Sequence, residues 1–249
     1  MLENKKISIK DYYEIQNKRF NWGKEWTVTE INNNVIKLFY PDFGNKVISK
    51  KEIELIAQNK FNKLKYLSST PEFTNYLKPL FTCTINDKFV GYGYKKINCN
   101  TFDEEILDRE SLIFYLKKLK DTLIKYHDIG IIHGDITPFN FFVDKQTKEV
   151  IIGDIDNMKV NNYNIDFLPW YAHDFIKKYG CIDSKLDAYL FNLMTIERFS
   201  DGNWYDTIIS QLEKNNIPNI LEKTDKQLLK QMVKVDKNYK EKYLIDSIC

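Results

Sequence analysis

The 249-residue chain carries 37 basic side chains against 35 acidic ones, a formal charge of +2. So even a balance raises no field that would gather nucleic acid or an anionic membrane surface. No stretch approaches the ~18 apolar residues of a membrane span. With 43% hydrophobic and 14% aromatic residues, the chain can still bury a sizeable core, as one domain or as two lobes sharing a cleft.

Arginine is confined to Arg19, Arg109 and Arg198, and the scattered lysines read as a solvated surface. Met1-Leu2-Glu3-Asn4-Lys5-Lys6 runs into polar sequence with no apolar core, so no secretory signal is expected. Cys83, Cys99, Cys181 and Cys249 form no C-x-x-C pair and no ligand spacing with the three histidines. Thiols of this kind, with no secretory signal, point to the cytoplasm.

In chain order, the first hundred residues read mostly as short strands around one helix. Trp26 to Ile31 and Val35 to Tyr40 are β-rich runs joined by the turn-forming Asn32-Asn33-Asn34. Ser49 is a candidate N-cap for a helix from about Lys50 to Leu67, with Ile53, Ile56 and Phe61 among its inward positions. Phe81 to Ile85 and Lys88 to Ile97 read as a hairpin around Asn86-Asp87.

After Asn98 the pattern turns helical. Glu105 to His127 places Leu112, Tyr115, Leu116, Leu119, Leu123 and Tyr126 on one side and stops at Gly130. Val150-Ile151-Ile152 is a short buried strand, and the remainder is mainly helix. The expected class is therefore α+β: a β-rich lobe over residues 1–98 and a mostly helical, shortened lobe over 99–249.

His133-Gly134-Asp135-Ile136-Thr137-Pro138-Phe139-Asn140 precedes an apolar strand, Phe141-Phe142-Val143, and Asp154-Ile155-Asp156-Asn157 closes the next one. In order and spacing these residues resemble the protein-kinase superfamily, whose catalytic loop H-R-D-x-x-x-x-N is followed by D-F-G. The resemblance spans roughly Trp22 to Arg198 and implies a bilobal kinase-like fold with ATP and Mg²⁺ as cofactors.

Phosphoryl transfer needs an acceptor held in line and metal ions on the transferring group. The resemblance makes Asp135 the residue that orients the acceptor hydroxyl and takes its proton, and Asn140 and Asp154 hard oxygen ligands for Mg²⁺. Asp156, in place of the D-F-G glycine, is either a third metal ligand or a cap for the following segment. Val35-Ile36-Lys37 is similar to V-A-I-K, so Lys37 is expected at the α- and β-phosphates, paired with a helix glutamate. Glu52 is the choice for that glutamate, because Leu55 and Ile56 would then pack inward; Glu54 is the surface alternative. Gly23 and Val28 fall where the phosphate-covering hairpin belongs, with Trp26 at the place of the third glycine. Lys95, Lys96 and Ile97 stand where the interlobe hinge would hold adenine. Asp187 matches the aspartate that braces the catalytic-loop backbone.

Gly134 replaces the arginine that reads an activation-segment phosphate, and Thr137 replaces a lysine that steadies the γ-phosphate. Trp170 to Asp174 is similar to the end of an activation segment, and only 51 residues follow Arg198. The leading expectation is a cytoplasmic serine/threonine protein kinase, binding neither nucleic acid nor membrane. An aminoglycoside- or choline-type small-molecule kinase is the alternative, favoured by Gly134 and Thr137. A non-catalytic pseudokinase is the third, favoured by the degraded glycine loop.

Overall fold

Two-residue asparagine turns organise the first sheet. Asn32 and Asn33 both take positive φ (49° and 63°), the geometry that lets a two-residue hairpin loop match strand twist. They join β3 (Trp26–Ile31) to β4 (Asn34–Phe39), after β1 (Glu3–Lys6), helix α1 (Ile9–Asn17) and β2 (Asn21–Trp22). Asn86 and Asp87 repeat the device (φ 49° and 61°) between β5 (Pro79–Ile85) and β6 (Lys88–Lys95). The sheet runs β1-β5-β6-β4-β3-β2, antiparallel except for the parallel β1–β5 pair at one edge. The computed structural model describes residues 2–17, 21–22, 26–39, 49–199, 210, 214, 226–233, 235 and 239–248.

One face of β4 presents Ile36 and Leu38 to Phe81 and Cys83, with Ile7, Tyr12, Ile31 and Val90 packed around them. Side chains alternate along a strand, so Lys37 points the other way. Gly91 lets β6 close on β4 here: a Cβ at Gly91 would lie 2.3 Å from the Lys37 carbonyl oxygen. That register sets Tyr92 opposite Lys37.

Helix α2 (Lys50–Ser69) starts at a capping box, Ser49 accepting from the Glu52 N–H while the Glu52 carboxylate accepts from the Ser49 N–H. Its buried stripe is Ala57, Lys60, Lys63, Leu64 and Leu67. Leu55, expected inside, is 61% exposed, because it lies off that stripe.

Beyond residue 98 come β7 (Asn100–Thr101), α3 (Arg109–Asp128), β8 (Ile131–Ile132), β9 (Phe141–Asp144), β10 (Glu149–Ile152), β11 (Lys159–Val160), α4 (Trp170–Tyr179), α5 (Ser184–Phe199) and α6 (Lys226–Val233). Asp108 caps α3, and the six apolar residues expected on one side of it are all buried. The small strands pair as β10-β9-β7 and β11-β8. Helix α5 is buried almost throughout, and its Asn192 pins the C-terminal segment by accepting from Leu244 N–H (2.7 Å) and donating to the Lys242 carbonyl (2.8 Å). Among the described residues no helix is long and apolar enough to cross a membrane.

The chain forms two compact units: Met1–Asn98 with Asp154–Asp156, and Cys99–Gly153 with Asn157–Cys249. Asp154–Asp156 was expected in the second part. It belongs to the first because its carboxylates are bound by lysines of β4 and α2.

Candidate functional site

In the first unit the chemistry gathers around Lys37. Its ammonium is ion-paired with Asp154 and lies 2.8 Å from Asp156 Oδ1. Asp156 is fully buried and its oxygens are engaged: Oδ1 also accepts from Tyr92 OH at 2.8 Å, and Oδ2 faces Lys60 Nζ at 3.2 Å. Lys60, also fully buried, reaches the site from the inner face of α2. The Trp26 ring covers both cations, its centroid 4.7 Å from Lys37 Nζ and 5.3 Å from Lys60 Nζ.

Burial by itself would disfavour charge on Lys37 and on Asp156. Against burial, the Asp154 and Asp156 charges hold the Lys37 ammonium well above its ordinary value. Against burial, too, Lys37 and Lys60 hold Asp156 well below the usual carboxylate range. Burial, with the Asp156 charge second, pushes the Tyr92 phenol up, so it stays a donor. Asp154 differs from Asp156: its side chain is 25% exposed and its backbone is left-handed, φ 48°, a conformation that aspartate adopts more readily than most side chains do.

Two expectations are corrected here. Glu52 does not pair with Lys37; its carboxylate is exposed and held by Ser49 (2.8 Å to N, 2.6 Å to Oγ), which lowers its pKa. Asp156, expected as a third metal ligand or a cap, is instead the buried counter-ion of two ammonium groups and accepts from a phenol. Trp26, at the place expected of a phosphate-loop glycine, is instead a buried side chain packed on Phe39 and Tyr92.

Val28 is half-buried on β3, directly across from Lys37. Lys95 and Lys96 are exposed and Ile97 half-buried; the Lys96 N–H donates to the Asn33 carbonyl (3.0 Å) and its ammonium pairs with Glu30 (2.7 Å). Lys96 N–H is thereby committed within the sheet rather than offered to an adenine. Gly23 lies outside the described residues.

In the second unit the loop between β8 and β9 carries Asp135 and Asn140. Asn140 donates its amide to the Asp135 carbonyl (2.9 Å) and to Asp135 Oδ2 (3.1 Å), and the Tyr171 hydroxyl donates to Asp135 Oδ1. Asp187, fully buried on α5, holds the loop backbone: Oδ2 accepts from the His133 N–H (2.8 Å) and Oδ1 from the Gly134 N–H (2.7 Å). His133 accepts the Asp135 N–H on Nδ1 (3.2 Å) and faces the Gly153 carbonyl through Nε2 (3.3 Å). Gly134 has φ 76°, and a Cβ there would lie 2.0 Å from Ile165 Cδ1, so any side chain at this position would strain the backbone and displace the end of Ile165.

His127 approaches the same Asp187 through Nε2 (2.9 Å) and Glu241 through Nδ1 (3.4 Å). Burial opposes charge on this imidazole, but the Asp187 hydrogen bond and the two carboxylate charges raise its pKa. Beside Asp135 a cavity of about 90 Å³ is lined by residues including Phe139, Trp170, Tyr171, Met194 and Glu197. Phe139 and Trp170 are each 53% exposed at its edge.

Sequence reasoning missed Lys60, Tyr92 and Tyr171. Lys60 had a signal, since it falls on the apolar stripe of α2 with Ala57 and Leu64. Tyr171 had none, because it meets Asp135 across 36 residues. Among the described residues no group of three or more His, Cys, Asp or Glu side chains is arranged to hold a metal. In the first unit Asp154 keeps a partly exposed carboxylate, and in the second Asn140 turns its NH₂ group to Asp135; each carries an oxygen of the kind Mg²⁺ takes. The chain matches no protein-family model and no curated protein, so the chemistry of these residues carries the functional reading.

Proposed function

We propose that this protein is an ATP-dependent phosphotransferase of protein-kinase-like, bilobal architecture that phosphorylates a hydroxyl group. The observation that supports the reading most is the Lys37–Asp154 ion pair, which joins a strand lysine to the D-x-D segment across 117 residues. A partly exposed carboxylate beside a buried strand lysine offers a cation for phosphate oxygens and an anionic oxygen for a metal. Mg²⁺, when bound by Asp154, would neutralise charge on the phosphates.

In this reading Asp135 accepts the acceptor's proton. Asn140 fixes Asp135 Oδ2, leaving rotation of the carboxylate restricted, and Asp187 holds the loop beneath it. The Tyr171 hydroxyl marks, on Oδ1, the position an incoming hydroxyl would take. Lys37 contacts the nucleotide phosphates. Protein serine and threonine hydroxyls are the first acceptor class to test, in the cytoplasm. Gly134 supports a second class, small hydroxylated molecules, because its left-handed φ and the Ile165 contact disfavour the arginine used for switching by phosphorylation.

The test is a thermal-shift titration with Mg·ATP beside Asp154→Ala. Ligand at ten times its dissociation constant stabilises a fold by about 1.4 kcal/mol, roughly 3–5 °C for a chain of this size. A Mg-dependent shift absent from the variant is expected; no shift at millimolar Mg·ATP rejects the reading. Asp135→Asn should keep the shift while transfer to a peptide or amino-alcohol panel falls by about 10²–10⁴-fold.

A further inference from the structure

A lysine that must meet phosphate needs a fixed position and an undiminished charge. In this chain the helix residue that supplies both is itself a cation. We propose that Lys60 is the positioning residue for Lys37, acting through Asp156; the inference rests on the phosphotransferase reading above.

Three observations carry it. The nearest glutamates of α2 are engaged elsewhere, Glu52 in the capping box and Glu54 with Lys88 at 2.6 Å. Asp156, by contrast, lies between the two ammonium groups, 2.8 Å from Lys37 Nζ and 3.2 Å from Lys60 Nζ, one carboxylate oxygen to each. Tyr92 then fixes the Lys37-facing oxygen (2.8 Å), and the Trp26 ring closes over both cations.

The polarity of the helix-to-strand link is therefore inverted. A carboxylate on α2 would neutralise Lys37 directly. Here α2 contributes a positive charge, and the single negative charge of Asp156 is divided between two lysines. Lys37 is held in place yet only partly neutralised, which leaves it attractive to phosphate once Asp154 turns to a metal. Lys60 is fully buried, and the contact that links it to Lys37 runs through Asp156. Removing Lys60 would give Lys37 the whole Asp156 charge and free one carboxylate oxygen to rotate.

The experiment measures Mg·ATP and Mg·ADP dissociation constants by fluorescence competition, with near-UV circular dichroism to check folding. The full chain is compared with Lys60→Met, Lys60→Arg, Lys37→Met and the Lys37→Met/Lys60→Met double variant. Lys60→Met should weaken binding by about tenfold, and Lys60→Arg, which keeps the cation, by less than about threefold. In the Lys37→Met background the second substitution should add less than about twofold, because its route to the ligand is gone.

Wild-type affinity in folded Lys60→Met, or a full additive loss in the double variant, overturns the proposal while leaving the phosphotransferase reading intact. No binding of either nucleotide by the wild-type chain overturns both. Should Lys60→Met fail to fold, Lys60→Gln takes its place in the same cycle, with the same two outcomes.

Discussion

The two units anchor their central carboxylates in opposite ways. In the first, Asp156 is buried against two ammonium ions and a phenol. In the second, Asp187 is equally buried but is satisfied by two backbone N–H groups and one histidine. A charge held by other charges leaves them short of a partner when it is removed; a charge held mainly by backbone dipoles leaves chiefly unsatisfied donors. The first arrangement suits a site whose cation must stay ionised. The second suits a loop whose backbone must stay still.

The largest effect that tests this contrast is Asp156→Ala. Lys60 would lose its Asp156 partner and Lys37 would keep only the partly exposed Asp154, and breaking a buried pair typically costs about 3–5 kcal/mol. Urea denaturation should show that loss, whereas Asp154→Ala, with a partly exposed side chain, should cost below about 1 kcal/mol. Equal losses would break the distinction between the two aspartates.

Gly134→Ala comes next, because the added methyl meets Ile165 and the residue must keep φ 76°. About 1–2 kcal/mol is expected from the left-handed backbone and about 1–3 kcal/mol from overpacking. Adding Ile165→Ala should relieve the second part only.

Ser49→Ala should cost about 1 kcal/mol as a lost helix cap, and Glu52→Gln no more than that. A loss from Glu52→Gln as large as that of Asp156→Ala would show that Glu52, not Asp156, holds Lys37.

Smallest is a pH effect at His127. Its folded pKa is raised, so the stabilisation is complete below the ordinary imidazole value of about 6.5 and is lost as pH rises through the folded pKa. Stability measured from pH 6 upward should fall in wild type, and that fall should be absent in His127→Gln.

How much of this was legible in the sequence follows the same contrast. The Asp187 brace was readable, and so was the placing of Asp135 and Asn140 on one loop, because a loop motif fixes its own geometry over eight residues and a helix start supplies the brace. Helix α3 was readable because its apolar period is long and regular. The Glu52 error had a correction within view: Ser49-Lys50-Lys51-Glu52 is an S-x-x-E capping box, and the same serine was already read as the N-cap. A glutamate at the third helical position reaches back to its own cap before it reaches across to a strand.

The sequence by itself determined the alternating strands, the asparagine turns, the amphipathic helices and the set of polar residues on the loop over residues 133–140, since all depend on residues near one another in the chain. Only the tertiary structure decided which charge neutralises which. Lys37, Lys60 and Asp156 are brought together from a strand, a helix and a turn, and Tyr171 reaches Asp135 from a later helix. Burial makes such pairings obligatory, because an ammonium or carboxylate removed from water must find its opposite, but local sequence carries no record of which one it finds.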